Sequence, residues 1–273
     1  MFVIQMKIDA ILTPAELPAL ADRDLRDATC VVFDVLRATS TFVTALHNGA
    51  KAIIPVSEIA EALALRQKQP DILLGGERDG VRIRADQTGG IDFDLGNSPR
   101  EYTPEKVRGK TIVSTTTNGT RALRACTGAQ TVLAASFLNL TATVQFIRRL
   151  QPAQIVLVCA GTRENMADED VLAAGALCEL LSDHFGIPDA PLSPSLSPFG
   201  RGEGVRLNDS AETALSAWRK AKSNLFAAVS DAENARRLLA IPELRDDVAF
   251  CLRQDVFDLV AALGHDGAIR ILI

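Results

Sequence analysis

Polar residues collect in this 273-residue chain at the points where apolar runs stop. After "TCVVF" comes "DVLRATST", with Asp34, Arg37, Thr39, Ser40 and Thr41; after "DILLGG" come Glu77 and Arg78. After "TIVS" comes "TTTNGTR", and after "QIVLVCAG" comes "TRENMADED". Carboxylates, guanidinium groups and small hydrogen-bond donors in this pattern suit the holding of an anionic ligand. Thr115, Thr116, Thr117, Asn118 and Thr120 offer hydroxyl and amide donors, Gly119 lets backbone approach closely, and a helix expected from Arg121 aims its N-terminus the same way. That is an oxyanion cradle. The same residues also suit a tight Asn-Gly turn with Thr120 capping a helix, so spacing alone leaves both readings open.

Asp34 ends an apolar run and Arg37 shares its loop, an arrangement that serves either a catalytic pair or a plain salt bridge. Asp168, Glu169 and Asp170 open a helix, where free N–H groups and the helix dipole favour carboxylates without any function. A hard cation such as Mg2+ takes one or two carboxylates together with waters and phosphate oxygens, and Asp34 with this acidic cluster can supply them across a sheet. Other phosphate chemistry is disfavoured by spacing. The chain has no GxxxxGK(S/T) loop, Asp34 lacks a second aspartate two residues on, and neither Cys30 nor Cys159 stands in a phosphatase loop with an arginine. The five cysteines form no CxxC pair and His47, His184 and His265 are scattered, so structural zinc, a disulfide framework and a histidine nucleophile are weak readings.

The elements that must position these groups are legible from periodicity. Strands are expected at 2–8, 29–33, 51–56, 71–76, 111–114, 131–136 and 154–161, with amphipathic helices at 40–48, 58–68, 139–150 and 170–185. Such alternation implies an α/β fold with a mixed, largely parallel sheet covered by helices, whose strand-end loops form the ligand crevice. Residues 77–104 read as a long irregular loop, and 186–208, rich in Pro, Ser and Gly, as a flexible insertion. Residues 209–240 are strongly helical, Pro242 breaks that helix, 243–253 resumes it, and the C-terminal stretch reads as strand, turn, strand. No repeat or linker divides the chain, so a single domain over 1–273 is expected.

Composition narrows the partners. A net charge of −5 gives no general attraction to nucleic acid or to an anionic membrane, so an anionic ligand must be held by local cations. The N-terminus lacks a basic, cleavable leader and no apolar run approaches the roughly 20 residues needed to cross a bilayer, so a soluble cytoplasmic protein is expected. The surface of 209–240 is a candidate for pairing copies into a homo-oligomer.

Five stretches in order, "DVLRATST", "LGGERDG", "FDLGNSPREY", "STTTNGTRAL" and "AGTRENMADEDVLAAG", resemble the 2-phosphosulfolactate phosphatase (ComB-like) family. The resemblance covers the chain up to the 186–208 segment and resumes more weakly at "LNDSAETAL". It departs at Ser40, where a threonine is expected, at Asp92, and in a longer connection between the "GER" and "GNSP" motifs. Membership implies a Mg2+-dependent phosphatase that releases inorganic phosphate from 2-phospho-3-sulfolactate. On that basis Asp34, Glu169 and Asp170 are expected to hold Mg2+, with Glu77 as a further ligand or base. The Thr115–Arg121 turn receives the phosphate, with Thr116, Asn118 and Thr120 as donors and Arg37 balancing charge. Arg78 and Arg121 are expected to meet the remaining anionic groups, with Asn97 and Ser98 completing the pocket. Two other readings fit the same cradle: a non-catalytic phosphate or organic-anion binding protein, and a phosphotransferase.

Overall fold

The computed structural model describes residues 6–185 and 204–272. Its strands are β1 (Met6–Ile11), β2 (Ala28–Phe33), β3 (Ala52–Pro55), β4 (Leu73–Arg78), β5 (Val81–Arg82) and β6 (Thr111–Thr115). They continue as β7 (Thr131–Ala135), β8 (Gln154–Cys159), β9 (Val205–Leu207), β10 (Val260–Leu263) and β11 (Ile269–Leu272). The helices are α1 (Leu17–Ala21), α2 (Ala38–His47), α3 (Ile59–Lys68), α4 (Ala85–Thr88), α5 (Pro104–Val107) and α6 (Gly119–Ala125). After these come α7 (Leu140–Leu150), α8 (Asp168–Phe185), α9 (Asp209–Ala221), α10 (Leu225–Ser230), α11 (Glu233–Leu239) and α12 (Arg245–Cys251). Among the described residues no helix is long and apolar enough to cross a membrane.

The strands form one sheet in the order β5-β4-β6-β3-β11-β10-β7-β2-β8-β1-β9. Neighbours within β4-β6-β3 and within β7-β2-β8-β1-β9 are parallel, and the antiparallel hairpin β10–β11 joins the two groups. Three antiparallel steps separate β7 from β3, so the two parallel groups run in opposite senses. A flat sheet would put their C-terminal ends on opposite edges. They meet nonetheless, because Asn118 beyond β6 donates to the carbonyls of Ala160 and Gly161 beyond β8. Each strand step adds roughly 20–25° of twist, which swings the two groups toward each other across the hairpin.

Helices α2 and α6 pack against both strand groups on one face of the sheet. Phe42, Val43 and Leu46 of α2 and Leu123 of α6 share a core with Ile53 and Ile112 of one strand group and Val32, Val156 and Val158 of the other. Alternate residues Val31, Phe33, Ile155 and Leu157 face the opposite core with α7, α8 and α9, as a two-residue side-chain period requires. Every residue of α2 from Ala38 to Leu46 is buried, which an amphipathic surface helix would not allow. Its hydroxyls are answered locally: Ser40 donates to Val35 O at 2.8 Å, Thr41 to Asn97 O at 2.8 Å and Thr44 to Ser40 O at 2.7 Å. Much of the "RATST" polarity is therefore structural.

Three expectations need correction. The 77–104 stretch is not irregular throughout: β4 runs on to Arg78, β5 and α4 follow, and Ile83 and Phe93 are buried in a small core with Leu74 and Val113. The 209–240 segment is not one helix but α9, α10 and α11 with turns between them. Of the expected 186–208 insertion, 186–203 lies outside the described residues, while Val205–Leu207 pairs in parallel with β1 as an edge strand. The strand-turn-strand reading of the C-terminus is the β10–β11 hairpin, although its central position in the sheet was not foreseen.

Packing of α8 on α9 is closest at Gly175, where an added Cβ would stand 2.1 Å from Ala214 O and 2.8 Å from Trp218 Cβ. Gly175→Ala is expected to push α9 away and destabilise the protein by about 1–3 kcal/mol. Urea denaturation measures this, and an unshifted midpoint would contradict the close helix contact.

Candidate active site

The loops beyond β2, β4, β6 and β8 converge with α11 on a small cavity open to solvent. Asp34, Arg37, Glu77, Asn97, Thr116, Thr117 and Asn118 line it, so seven of the residues singled out in the sequence share one wall space. Asp79, Gly80, Thr162, Arg163, Arg237 and Leu238 are among the other residues that line it.

Asp34 stands at the C-terminal end of β2. Its Oδ1 accepts from Ala38 N at 3.0 Å, and its backbone N–H donates to Thr39 Oγ1 at 3.0 Å, which fixes the loop into α2. On its other side α6 begins at Gly119, where a Cβ would lie 2.6 Å from Asp34 Oδ2 and 2.8 Å from Ala38 Cβ. Only a glycine lets α6 come so close to the carboxylate. Burial pushes the Asp34 carboxyl up to about 6, and the negative charge of Glu77 adds to this against the lowering by Ala38 N–H and Arg37.

Glu77 and Asn118 brace the Thr-rich turn. Glu77 Oε1 accepts from Thr117 N and Thr117 Oγ1, both at 2.9 Å, and Oε2 accepts from Gly80 N at 2.7 Å. Glu77 thus clamps the β4 and β6 loops together at the cavity wall, where it is expected as a metal ligand or base. Asn118 Nδ2 donates to the carbonyls of Ala160, Gly161 and Arg163 at 2.9–3.2 Å, so its amide nitrogen is not a spare donor for phosphate. Thr116 and Thr120 hydroxyls lie 3.4 Å apart, and Thr116 faces the cavity.

Arg37 lines the cavity but is also committed behind it. Nη1 donates to Asp247 Oδ2 at 2.8 Å and Nη2 to Gly80 O at 2.5 Å. Asp247, on α12, is fully buried and also accepts from Ser98 Oγ at 2.7 Å. Ser98 is thus a support for this ion pair and not a pocket donor, whereas Asn97 reaches the cavity with its Oδ1 buried and without a partner.

The acidic cluster at the start of α8 divides. Asp170 Oδ1 accepts from Val35 N at 2.7 Å and Oδ2 from Gly161 N at 3.0 Å, so it ties the β2 loop to the β8 loop. Glu169, 1% exposed, accepts from Asn234 Nδ2 at 2.8 Å through Oε1, while Oε2 is buried without a partner. Burial pushes Glu169 up to about 7, with the charges of Asp34 and Asp168 adding to it; burial and the charges of Glu169 and Asp34 raise Asp170 as well. The carboxylates expected to hold Mg2+ therefore differ in what their oxygens already meet: both oxygens of Asp170 accept from backbone N–H groups, whereas Glu169 Oε2 has no partner.

Three more expected residues stand elsewhere. Arg78 donates to Glu77 O, Ser57 O and Thr115 Oγ1, which makes Arg78 and the fully buried Thr115 parts of the β4–β6 framework. Arg121 is exposed and paired with Glu164 at 2.6 Å. Their motif positions said nothing about direction: Arg78 ends a strand and turns back along it, and Arg121 lies on the outer side of α6. The residues missed are Thr162, Arg163, Asn234, Arg237 and Asp247. Asn234 and Arg237 share one face of α11 by their three-residue spacing, the one signal that "ENARRLL" contained.

The α/β sheet thus gathers carboxylates, hydroxyls and arginines at one strand-end mouth, an arrangement suited to an anionic ligand. The model of the family "2-phosphosulpholactate phosphatase" matches residues 12–266, and the chain belongs to that family. It is 38% identical over 254 residues to the "Probable 2-phosphosulfolactate phosphatase" of Caldanaerobacter subterraneus subsp. tengcongensis, covering 92% of this chain and 94% of the relative. Relatives with the same name occur in Caldicellulosiruptor saccharolyticus, at 36% identity over 92% of this chain and 95% of the relative. Another, in Thermotoga maritima, is 38% identical over 86% of this chain and 88% of the relative.

Two outcomes follow from this geometry. Asp247→Ala leaves the Arg37 charge buried and unpaired and is expected to cost about 3–5 kcal/mol in denaturation experiments, Asp247→Asn less. The raised carboxyls set a pH dependence: because Asp34 and Glu169 hold protons more tightly folded than unfolded, their contribution is complete below about pH 4 and is lost as pH rises through about 6 and 7. Melting temperature of the metal-free protein should carry a falling component across that window, and Glu169→Gln should flatten it; an unchanged profile in the variant would show that Glu169 does not titrate there.

Proposed function

We propose that this chain hydrolyses the phosphate monoester of 2-phospho-3-sulfolactate, releasing 3-sulfolactate and inorganic phosphate. The observation that carries the reading is the setting of Asp34. One oxygen is held by Ala38 N–H and the other pressed against the start of α6, at the wall of a cavity shared with Thr116, Thr117 and Arg37. Phosphoryl transfer needs positioning and stabilisation of negative charge more than covalent participation by the protein. The β6–α6 turn supplies hydroxyl donors, and Arg37 supplies positive charge held in place by Asp247. Glu77, Asn118 and Asp170 keep the loops from spreading when the anion enters.

The donor chemistry suits Mg2+. The acceptors are hard oxygens, and Glu169 Oε2 is a buried carboxylate oxygen with no partner in a region electrostatically coupled to Asp34. Asp34 and Glu169 would hold the ion. When bound, it would neutralise charge on a phosphoryl oxygen and lower the pKa of an attacking water. Arg37 and the Thr116 hydroxyl then stabilise the charge that develops away from the carboxylates.

Phosphate release from 2-phospho-3-sulfolactate and from an aryl phosphate, each with Mg2+ and with a chelator, tests the proposal. The expected result is Mg2+-dependent release that Asp34→Asn lowers by about 10³-fold. No release from either substrate under any condition would favour the anion-binding alternative, and substrate consumption without free phosphate would favour a phosphotransferase. A trapped phospho-aspartate at Asp34 would replace its role as metal ligand with that of nucleophile.

A further inference from the structure

The substrate reading above leaves two anionic groups, a carboxylate and a sulfonate, without partners, since Arg78 and Arg121 do not line the cavity. Three arginines do: Arg37, Arg163 and Arg237. Their charges are not equally available. Arg37 is paired with buried Asp247 and already assigned to the phosphoryl group. Arg163 is 70% exposed at the rim, with Glu233 3.9 Å away, so solvent screens what it can contribute.

Arg237 differs from both. It is half-buried on α11, its Nη2 donates to Asn234 Oδ1 at 2.6 Å, and its Nε is buried without a hydrogen-bond partner. Among the described residues no carboxylate forms an ion pair with it, although Asp34, Glu77 and Asp79 line the same cavity. A partly desolvated guanidinium with an unanswered N–H is costly unless a ligand supplies the acceptor. Its position is set by Gly80, at φ +82°, where an added Cβ would lie 3.3 Å from Arg237 Nε. Arg37 donates to the carbonyl of that same residue. The two guanidinium groups therefore flank one glycine, one paired behind the cavity and the other unpaired within it.

We propose that Arg237 is the specificity-determining cation that binds the second anionic group, carboxylate or sulfonate, of a phosphorylated acid whose phosphoryl group lies on the Arg37 side of Gly80. The inference rests on the phosphatase reading for its substrate, not for its geometry. The guanidinium fork matches a planar carboxylate or two sulfonate oxygens through charge-assisted hydrogen bonds. Its bond to Asn234 also orients the amide that faces Glu169, so the readout must separate recognition from support.

The separating quantity is the ratio of kcat/KM for 2-phospho-3-sulfolactate to kcat/KM for an aryl phosphate, which has no second anion. Arg237→Gln is expected to lower that ratio by about 10- to 100-fold, from the worth of a hydrogen bond to a charged group. Arg237→Lys, which keeps the charge and loses the fork, should recover part of it, and Arg121→Gln should retain the wild-type ratio. A ratio unchanged in Arg237→Gln, whether both rates fall together or neither moves, overturns the proposal, as does a drop in Arg121→Gln instead. Calorimetric titration of 3-sulfolactate into both proteins decides the matter without turnover. Binding by the wild type that weakens at least about tenfold in Arg237→Gln supports the assignment, and equal affinity, or none in the wild type, rejects it. If the wild type releases no phosphate from either substrate, the phosphatase reading falls while this titration still judges Arg237.

Discussion

The contact on which the architecture turns is the junction of α6 with the loops of the opposite strand group. There the Asn118 amide binds the carbonyls beyond β8 and Gly119 lies against Asp34. Two parallel groups that run in opposite senses have no reason to bring their C-terminal ends together unless the sheet curls and something locks the curl. The hairpin β10–β11 makes the curl, the apolar faces of α2 and α6 fill it, and the Asn118 and Asp170 hydrogen bonds close it. Helix starts and carboxylates from both groups then face a single cavity.

That closure explains how the polar groups divide their work. Acidic residues that look alike in sequence differ by what their oxygens meet: Asp170 and Glu77 have both oxygens engaged by N–H or O–H donors, whereas Glu169 retains one buried and unanswered. Engaged carboxylates hold loops; unanswered ones are available to a cation or a proton. The same division separates the arginines. Arg37 is anchored by buried Asp247, Arg78 is spent on carbonyls of the framework, and Arg237 reaches the cavity without a charged partner.

Much of the fold could be read in the chain because its causes are local. Short runs of valine, isoleucine and leucine punctuated by polar turns marked β2, β6, β7 and β8 to within two residues, and three- and four-residue spacing marked α3, α7 and α8. The gathering of Asp34, Arg37, Glu77, Thr116 and Asn118 was also readable, since all lie just beyond strand ends where α/β sheets place ligands. The breaks in 209–240 were less visible: alanine-rich sequence favours helix on both sides of each turn, and only packing against α8 and α12 decides where the chain bends.

By itself, then, the sequence determined the family, the α/β alternation and the set of loops from which the site is drawn, because strand and helix periods and short motifs depend on neighbours along the chain. Tertiary structure alone decided which side chains within those loops face the cavity, which are tied to backbone, and that α11 and α12 contribute Asn234, Arg237 and Asp247. The reason is physical: Asp247 lies 210 residues from its partner Arg37, and Asn234 lies 65 from Glu169. No local preference encodes such a pairing, which exists only once the curled sheet has brought its opposed strand groups to one mouth.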